Sequence, residues 1–327
     1  MKNLFYLLFL TLFISNCKDA IKNSEAKIDI EKGTAIEAED AVIEETSNMA
    51  QRQQQEQAEK LKAEEHLDLI GFWVGYFERD SEADILFVDE GYIWNRENKI
   101  NIAIDQIDGS NVVGHSVVAG NDRPFEGEMI SEEDGSYAFT VKEPGDDRYD
   151  GIFTFTIKDS ELIGTWSAYK KIEIPRRKYT LEKKTFTYNP DVMLEGAKEY
   201  VDWTKKIQTK EKVEMAENEF DEWISTQFAS ATSLIYTMNA SNRLLEKSEV
   251  ENLQKGDLTI IRNTIYARHG YSYKNRPLRV FFDAQPWYIP VHSNIKGDFT
   301  EIEKENIKLL LKYEQNAAEY YDTFGRG

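Results

Sequence analysis

The chain has 327 residues, a formal net charge of −19, one cysteine and four histidines. That length allows two globular units, and the acid excess excludes nucleic acid or anionic lipid headgroups as partners of the chain's general field, because like charges repel. A single cysteine excludes an internal disulfide framework and a Cys-based zinc site. Four scattered histidines leave little for a histidine-rich metal centre, so no metal or cofactor is expected.

At the N-terminus, Lys2 precedes an apolar stretch from Leu4 to Ile14 that only Thr11 interrupts, followed by Ser15, Asn16 and Cys17. A positive start, a short apolar run and a small-residue exit form the pattern of a secretory signal. The run is too short to span a bilayer as a helix. Ile14-Ser15-Asn16-Cys17 resembles a bacterial lipobox. The resemblance implies a lipoprotein signal peptide over residues 1–17 and a lipidated Cys17 as the mature N-terminus. The alternative is an ordinary cleaved signal with an incidental cysteine. Several acyl chains hold firmly, each buried methylene contributing about 0.8 kcal/mol. Residues 18–68 follow as an acidic tether, disordered in part and helical where Gln, Glu, Ala and Lys dominate.

From residue 69 to residue 188 the pattern changes. Short runs of Val, Ile, Phe, Tyr and Thr recur at Phe72–Phe77, Ile100–Ile107, Asn111–Val118, Tyr137–Val141, Ile152–Ile157, Leu162–Tyr169 and Lys178–Phe186. Turn pairs such as Asp108-Gly109 and Asp134-Gly135 separate them. This spacing predicts an antiparallel, closed or nearly closed meander of roughly eight to ten strands. Gly75, Gly114, Gly127, Gly151 and Gly164 fall inside strands, where glycine marks bends or bulges. Gly71-Phe72-Trp73 and Gly164-Thr165-Trp166 resemble the G-x-W of lipocalin-like barrels. That resemblance implies a barrel; its interior is either packed with side chains or holds an apolar ligand. The acidic loop Pro144–Asp150 reads as a solvated turn, and His115 as a half-exposed strand residue.

Residues 189–240 read as a helical connector. Tyr200, Val201, Trp203, Thr204 and Ile207 suit one amphipathic helix; Met215, Phe220, Trp223, Ile224 and Phe228 suit a second. The last segment, 241–327, predicts a small, mainly helical domain. Its signals are a capping box at Ser248, a break at Gly256, a helix from Asp257 to about His269 closed by Gly270, a short helix Pro277–Asp283, and a long helix opened by the capping box Thr300–Glu303. The whole chain is therefore α+β and multidomain: an antiparallel β-barrel-like domain followed by a small helical one.

Tyr266-Ala267-Arg268-His269-Gly270 spells YARHG, and Ser241–Leu245, Arg262-Asn263, Phe281-Phe282, Trp287–Pro290 and Glu305–Ile307 accompany it. This segment is identified as resembling the bacterial YARHG domain. The resemblance implies an extracytoplasmic module attached to other envelope domains and carries no catalytic residues with it. Thr264 departs from the glutamate found there in many members. Arg268 and His269 have two readings: they cap the last helical turn, with Arg262 and Arg268 bonding carbonyls or acids, or they join Arg279, Tyr271, Trp287 and Tyr288 in a cationic aromatic cleft that stacks a sugar and pairs a carboxylate. Segment 241–314 holds 12 Lys+Arg against 10 Asp+Glu, so it is mildly basic within an acidic chain.

Three function classes follow. The first is a lipid-anchored cell-envelope protein with a binding or scaffold role, partnered by the membrane through Cys17 and by a cell-wall polymer, glycan or envelope protein. The second is a carrier of a small apolar ligand in the barrel. The third, an envelope hydrolase, finds no H-E-x-x-H, G-x-S-x-G, P-loop or second cysteine to support it. The first is the expectation taken forward.

Overall fold

Alternation of apolar and polar residues builds the central region. The computed structural model describes residues 66–81, 87–89, 91–94, 96–216, 219–295 and 297–317. The signal, Cys17 and nearly all of the tether lie outside the described residues. All described residues belong to one unit, Glu59–Gly327. Strands run in chain order as β1 (Gly71–Arg79), β2 (Phe87–Asp89), β3 (Tyr92–Trp94), β4 (Asn98–Asp108), β5 (Asn111–Val118), β6 (Asn121–Ser131), β7 (Tyr137–Lys142), β8 (Gly151–Lys158), β9 (Glu161–Ala168) and β10 (Arg176–Lys184). Eight of them close into an antiparallel barrel, ordered β1-β10-β9-β8-β7-β6-β5-β4. β2 and β3 form a separate hairpin between β1 and β4.

The barrel is filled. Along β8, Phe153, Phe155 and Ile157 point inward while the residues between them face out, as period-2 alternation requires. Trp73, Phe77, Phe139 and Trp166 join them in one core. Phe139 stacks on Phe155 at 4.7 Å between centroids. The Trp73 indole donates to the Leu69 carbonyl at 2.9 Å, so the buried ring leaves no unpaired N–H. Both G-x-W tryptophans are thus core residues. Gly114 sits beside the barrel's register slip between Ile104 and Gln106, and a Cβ there would meet the Phe125 ring at 2.7 Å. The extra residue is Asp105 on β4, opposite Gly114; Gly75, Gly127, Gly151 and Gly164 lie in unbroken register, so no bulge falls on the glycines themselves. The acidic loop differs from its reading as a solvated turn. Asp150 is buried, accepts from the Gly145 and Asp147 N–H groups, and takes Arg123 at 3.2 Å.

The helical reading of the connector is corrected. Residues 201–230 form a two-stranded hairpin, β11 (Val201–Ala216) paired antiparallel with β12 (Glu219–Ser230). Apolar residues in this segment occur at spacings that satisfy both a helix and a strand over short windows. Ile207, Thr209, Val213 and Met215 alternate with Lys206, Gln208, Lys210, Lys212 and Glu214, which fits period 2. At the hairpin's base Trp203 is buried, stacks on Tyr92 at 4.7 Å and donates to Asp89 at 3.2 Å. Its far end is exposed, with Met215, Phe220 and Trp223 in solvent.

A single 3-10 turn (Ser233–Tyr236) leads into four helices: α1 (Lys247–Val250), α2 (Lys255–Arg268), α3 (Arg276–Asp283) and α4 (Glu301–Glu314). The expected box at Thr300 is present and opens α4. Two expected starts move. α1 is capped by Glu246 rather than Ser248, and α2 by Gln254, with Asp257 as its reciprocal partner. Gly256 does not break a helix. It lies in the first turn of α2, pressed on the Ser230 carbonyl at the end of β12, where a Cβ would meet the Ser230 carbonyl carbon at 2.7 Å. Leu194, Tyr200, Ile235 and Ala240, on either side of the hairpin, pack into the helical core. Among the described residues no helix is long and apolar enough to cross a membrane.

Hydrogen bonds join barrel and helices. The Lys99 N–H on β4 donates to Asp283 at 2.8 Å, and its ammonium donates to the Gln285 and Tyr288 carbonyls at 2.7 and 3.1 Å. Asn101 donates to the Pro290 carbonyl at 3.1 Å, and the Gly120 N–H to Ser272 at 2.9 Å. Gly120 has a φ of +75° and abuts Lys274, a position only glycine occupies without strain.

Candidate functional site

The sequence-derived candidates divide into three groups. Arg268, at the last turn of α2, is buried and donates to the Val192 carbonyl at 2.7 and 3.0 Å and to the Ser241 hydroxyl at 2.9 Å. Burial pushes its guanidinium down to about 10, and Glu303, Tyr188 and Asp191 oppose that shift. His269 is also buried, stacked on Tyr188 at 4.4 Å and hydrogen-bonded to Glu303 at 2.7 Å. Burial alone would raise the Glu303 carboxyl; hydrogen bonds from His269, Ser241 and the Thr300 N–H outweigh it and hold it low. Arg262 grips Glu314 with two bonds of 2.7 and 3.0 Å. Thr264, where a glutamate was expected from the resemblance, is buried and bonds back to the Ile260 carbonyl at 2.8 Å.

Tyr271, Trp287 and Tyr288 form the second group. The Tyr288 hydroxyl donates to the Tyr271 carbonyl at 2.7 Å, and Trp287 meets Tyr288 edge-on at 6.4 Å. Arg279 forms the third, on the face of α3 that meets the barrel. The cationic aromatic cleft therefore needs correction. Arg268, His269 and Tyr288 are internal and occupied, so they do not stand beside Arg279 on an open surface. The reading in which Arg262 and Arg268 bond carbonyls or acids fits the contacts observed.

Arg279 lines a different feature, a cavity of about 350 Å³ at one mouth of the barrel. Its apolar floor is Phe77, Phe153 and Trp166, the upper layer of the barrel core. Trp94 from β3 and Ile172 and Ile174 from the β9–β10 loop wall it. Five arginines surround it: Arg96, Arg148 and Arg177 from the barrel side, Arg276 and Arg279 from α3. Among the described residues the one carboxylate in the lining is Glu173, which takes Arg96 at 2.5 Å. Arg276 pairs with Asp89 at 3.0 Å, outside the lining.

Arg177 and Arg279 are different. Among the described residues neither makes a salt bridge. Arg177 donates to the Phe77 and Arg96 carbonyls at 2.7 and 3.0 Å and lies 4.9 Å from the centre of the Phe77 ring. Burial first, then Arg279 and Arg96, push its guanidinium down to about 10. Burial also lowers Arg279, and Asp283 opposes that shift. Among the described residues, the Arg279 Nε and the Trp94 indole N–H find no hydrogen-bond partner although they are buried, and neither does the Asn98 side-chain oxygen. Clustered like charges with unfilled hydrogen-bonding capacity cost stability unless an acceptor arrives.

The fold explains why these side chains meet. β1 pairs with β10, which sets Phe77 opposite Tyr179 and Arg79 opposite Arg177. Asp283 and Lys99 hold α3 against β4, and residues 276 and 279 share one helix face. Residues 233–315 match the YARHG domain. The match begins eight residues before the expected 241, taking in the 3-10 turn that packs into the helical core. The comparisons found no matching curated protein and no matching solved structure. Arg276 and Arg279 lie inside the YARHG domain, and Arg96, Arg148 and Arg177 lie in the barrel, so the cavity is a joint product of both.

Sequence reading found Arg279 but missed Arg96, Arg148, Arg177 and Arg276. The spacing of Arg276 and Arg279 on an expected helix was one available signal. Nothing in the linear sequence links them to Arg177.

Proposed function

We propose that this protein is an extracytoplasmic binding protein, lipid-anchored through Cys17, that holds an organic anion at the junction of its barrel and YARHG domain. One observation carries the reading: Arg177 and Arg279 converge on an apolar-floored cavity and neither makes a salt bridge among the described residues; the buried Asp283 acts on Arg279 through space, with its carboxyl raised by burial. Guanidinium groups are suited to this, since they stay charged and offer paired N–H donors to carboxylate, sulfonate or phosphate. A purely apolar ligand would leave those cations facing hydrocarbon, an unfavourable burial. The filled barrel core also leaves ligand space at the mouth rather than within. A cell-wall polymer or glycan fits this reading where it presents an acidic group to the mouth.

Two experiments test it. Melting curves of the purified protein with benzoate, benzenesulfonate and phenyl phosphate should shift upward, while phenol should not shift them. A ligand at a hundred times its dissociation constant adds about 2.7 kcal/mol of stability. No upward shift with any of these anions would contradict the reading. Replacing Cys17 with Ser should release the protein from the membrane fraction; unchanged membrane retention would remove the lipid anchor from the proposal.

A further inference from the structure

We infer that the mouth cavity selects a dianion of the phosphate monoester type carried on a small apolar or aromatic body. The inference rests on the anion-binding reading and narrows it to one ligand chemistry.

The charge around the cavity sets the valence. Of its five arginines, Arg96 is matched by Glu173 and Arg276 by Asp89. Arg148, Arg177 and Arg279 have no salt-bridge partner among the described residues; Asp283 acts on Arg279 through space, but burial raises its carboxyl and it lies outside the cavity lining. Arg148 lies over the ring of exposed Tyr149 at 4.8 Å, at the rim. A single carboxylate has one charge and two oxygens, which leaves most of this excess in place. A phosphate monoester near neutral pH carries close to two charges and three strong acceptor oxygens. It satisfies two guanidinium forks at once and leaves an oxygen for a third donor.

The floor sets the body. Phe77, Phe153 and Trp166 are hydrocarbon and aromatic surface, and they are continuous with the barrel core. Inorganic phosphate would cover none of that surface. A cavity of about 350 Å³ lies at the small end of ligand sites, so it holds one ring or a short chain segment beside the anion. The side open to solvent leaves room for a longer chain to pass outward. The same chemistry comes from two sources, a soluble phosphate ester or the phosphate headgroup of a lipid.

Affinity separates these ideas. At pH 7.5 phenyl phosphate should bind at least tenfold more tightly than benzenesulfonate, which has the same ring and three oxygens but one charge. The two should converge at pH 5, because the second phosphate ionisation lies near pH 6 while the arginines stay charged; Asp283, which acts on Arg279 and whose carboxyl burial raises to about 7, ionises over the same range and opposes both anions, so the ratio of the two affinities at each pH is the readout. Phenyl phosphate should also exceed inorganic phosphate at least fivefold. Arg148→Gln, an exposed position that does not threaten folding, should weaken phenyl phosphate more than benzenesulfonate. Equal affinity for phenyl phosphate and benzenesulfonate at pH 7.5 would overturn the dianion assignment while leaving anion binding intact. Equal affinity for phenyl phosphate and inorganic phosphate would overturn the apolar body. Binding of neither aromatic anion would overturn both the inference and the reading beneath it. Sedimentation of the Cys17→Ser protein, which lacks the anchor, with phosphatidylcholine vesicles, with and without phosphatidic acid, identifies the source: retention on the phosphatidic acid vesicles that phenyl phosphate reverses assigns the lipid, and absence of retention assigns the soluble ester.

Discussion

Arg268 and Arg279 lie in the same domain, yet they do opposite work. Arg268 is surrounded by acceptors of its own chain, the Val192 carbonyl and the Ser241 hydroxyl. Its loss exposes those buried acceptors to no partner, so Arg268→Ala should destabilise the fold by about 2–3 kcal/mol, the scale of charged hydrogen bonds. Anion affinity measured below the melting range should stay unchanged. A variant with wild-type stability and lost affinity would reverse the assignment. The motif's Arg and His are thus internal ties; His269 and Glu303 are both buried and face each other at 2.7 Å. Asp283 is a second residue with a measurable signature. It accepts from the Lys99 N–H and faces the Arg279 guanidinium, with the Lys99 ammonium, Tyr76 and Tyr288 nearby. Burial raises its carboxyl from 3.8 to about 7. The folded chain therefore keeps a proton that the unfolded chain releases across that window. The stability this contributes is full below pH 3.8 and is lost as pH rises through about 7. Urea midpoints should show the wild type falling relative to Asp283→Asn between pH 4 and pH 7; a constant difference would contradict the buried, proton-holding state.

Elements were legible where one face was dry and the other wet. β5 occupies Asn111–Val118 as expected because its alternation is bounded by the Asp108-Gly109 turn and by Ala119-Gly120. β6 is marked in the sequence only by Gly127, without bounds: Asn121–Ser131 contains Pro124 and buries only Phe125 and Met129, so its pattern is faint. The β11–β12 hairpin was misread because tertiary packing acts only on its base. Beyond Trp203 most of its apolar residues are exposed on both faces, which removes the one-sided contrast that separates period 2 from period 3.6. Gly256 illustrates the same competition. Helix propensity alone predicts that Gly256→Ala stabilises α2 by about 1 kcal/mol. The Ser230 carbonyl on β12 occupies the space a Cβ needs, and overpacking against backbone costs about 1–3 kcal/mol. The denaturation midpoint should therefore fall; a rise would show that the end of β12 yields.

At the scale of the whole molecule, charge is unevenly distributed. A net −19 belongs to the chain, but among the described residues the mouth cavity gathers five arginines and one glutamate. Composition excludes anionic partners for the general field and says nothing about a site of this size, where burial weakens screening. The barrel and the YARHG domain were each visible in the sequence as a strand meander and a motif. Their junction was not, since Arg177 reaches it through the pairing of β10 with β1, and Arg279 through the docking of α3 on Lys99. A site built by two domains should need both. The most direct test titrates phenyl phosphate into the wild type, Arg177→Gln and Arg279→Gln by calorimetry, with melting curves to show that each variant is folded. Removing either guanidinium should weaken binding at least tenfold, equivalent to about 1.4 kcal/mol or more. Wild-type affinity in a folded Arg177→Gln or Arg279→Gln variant would contradict a site shared by barrel and YARHG domain.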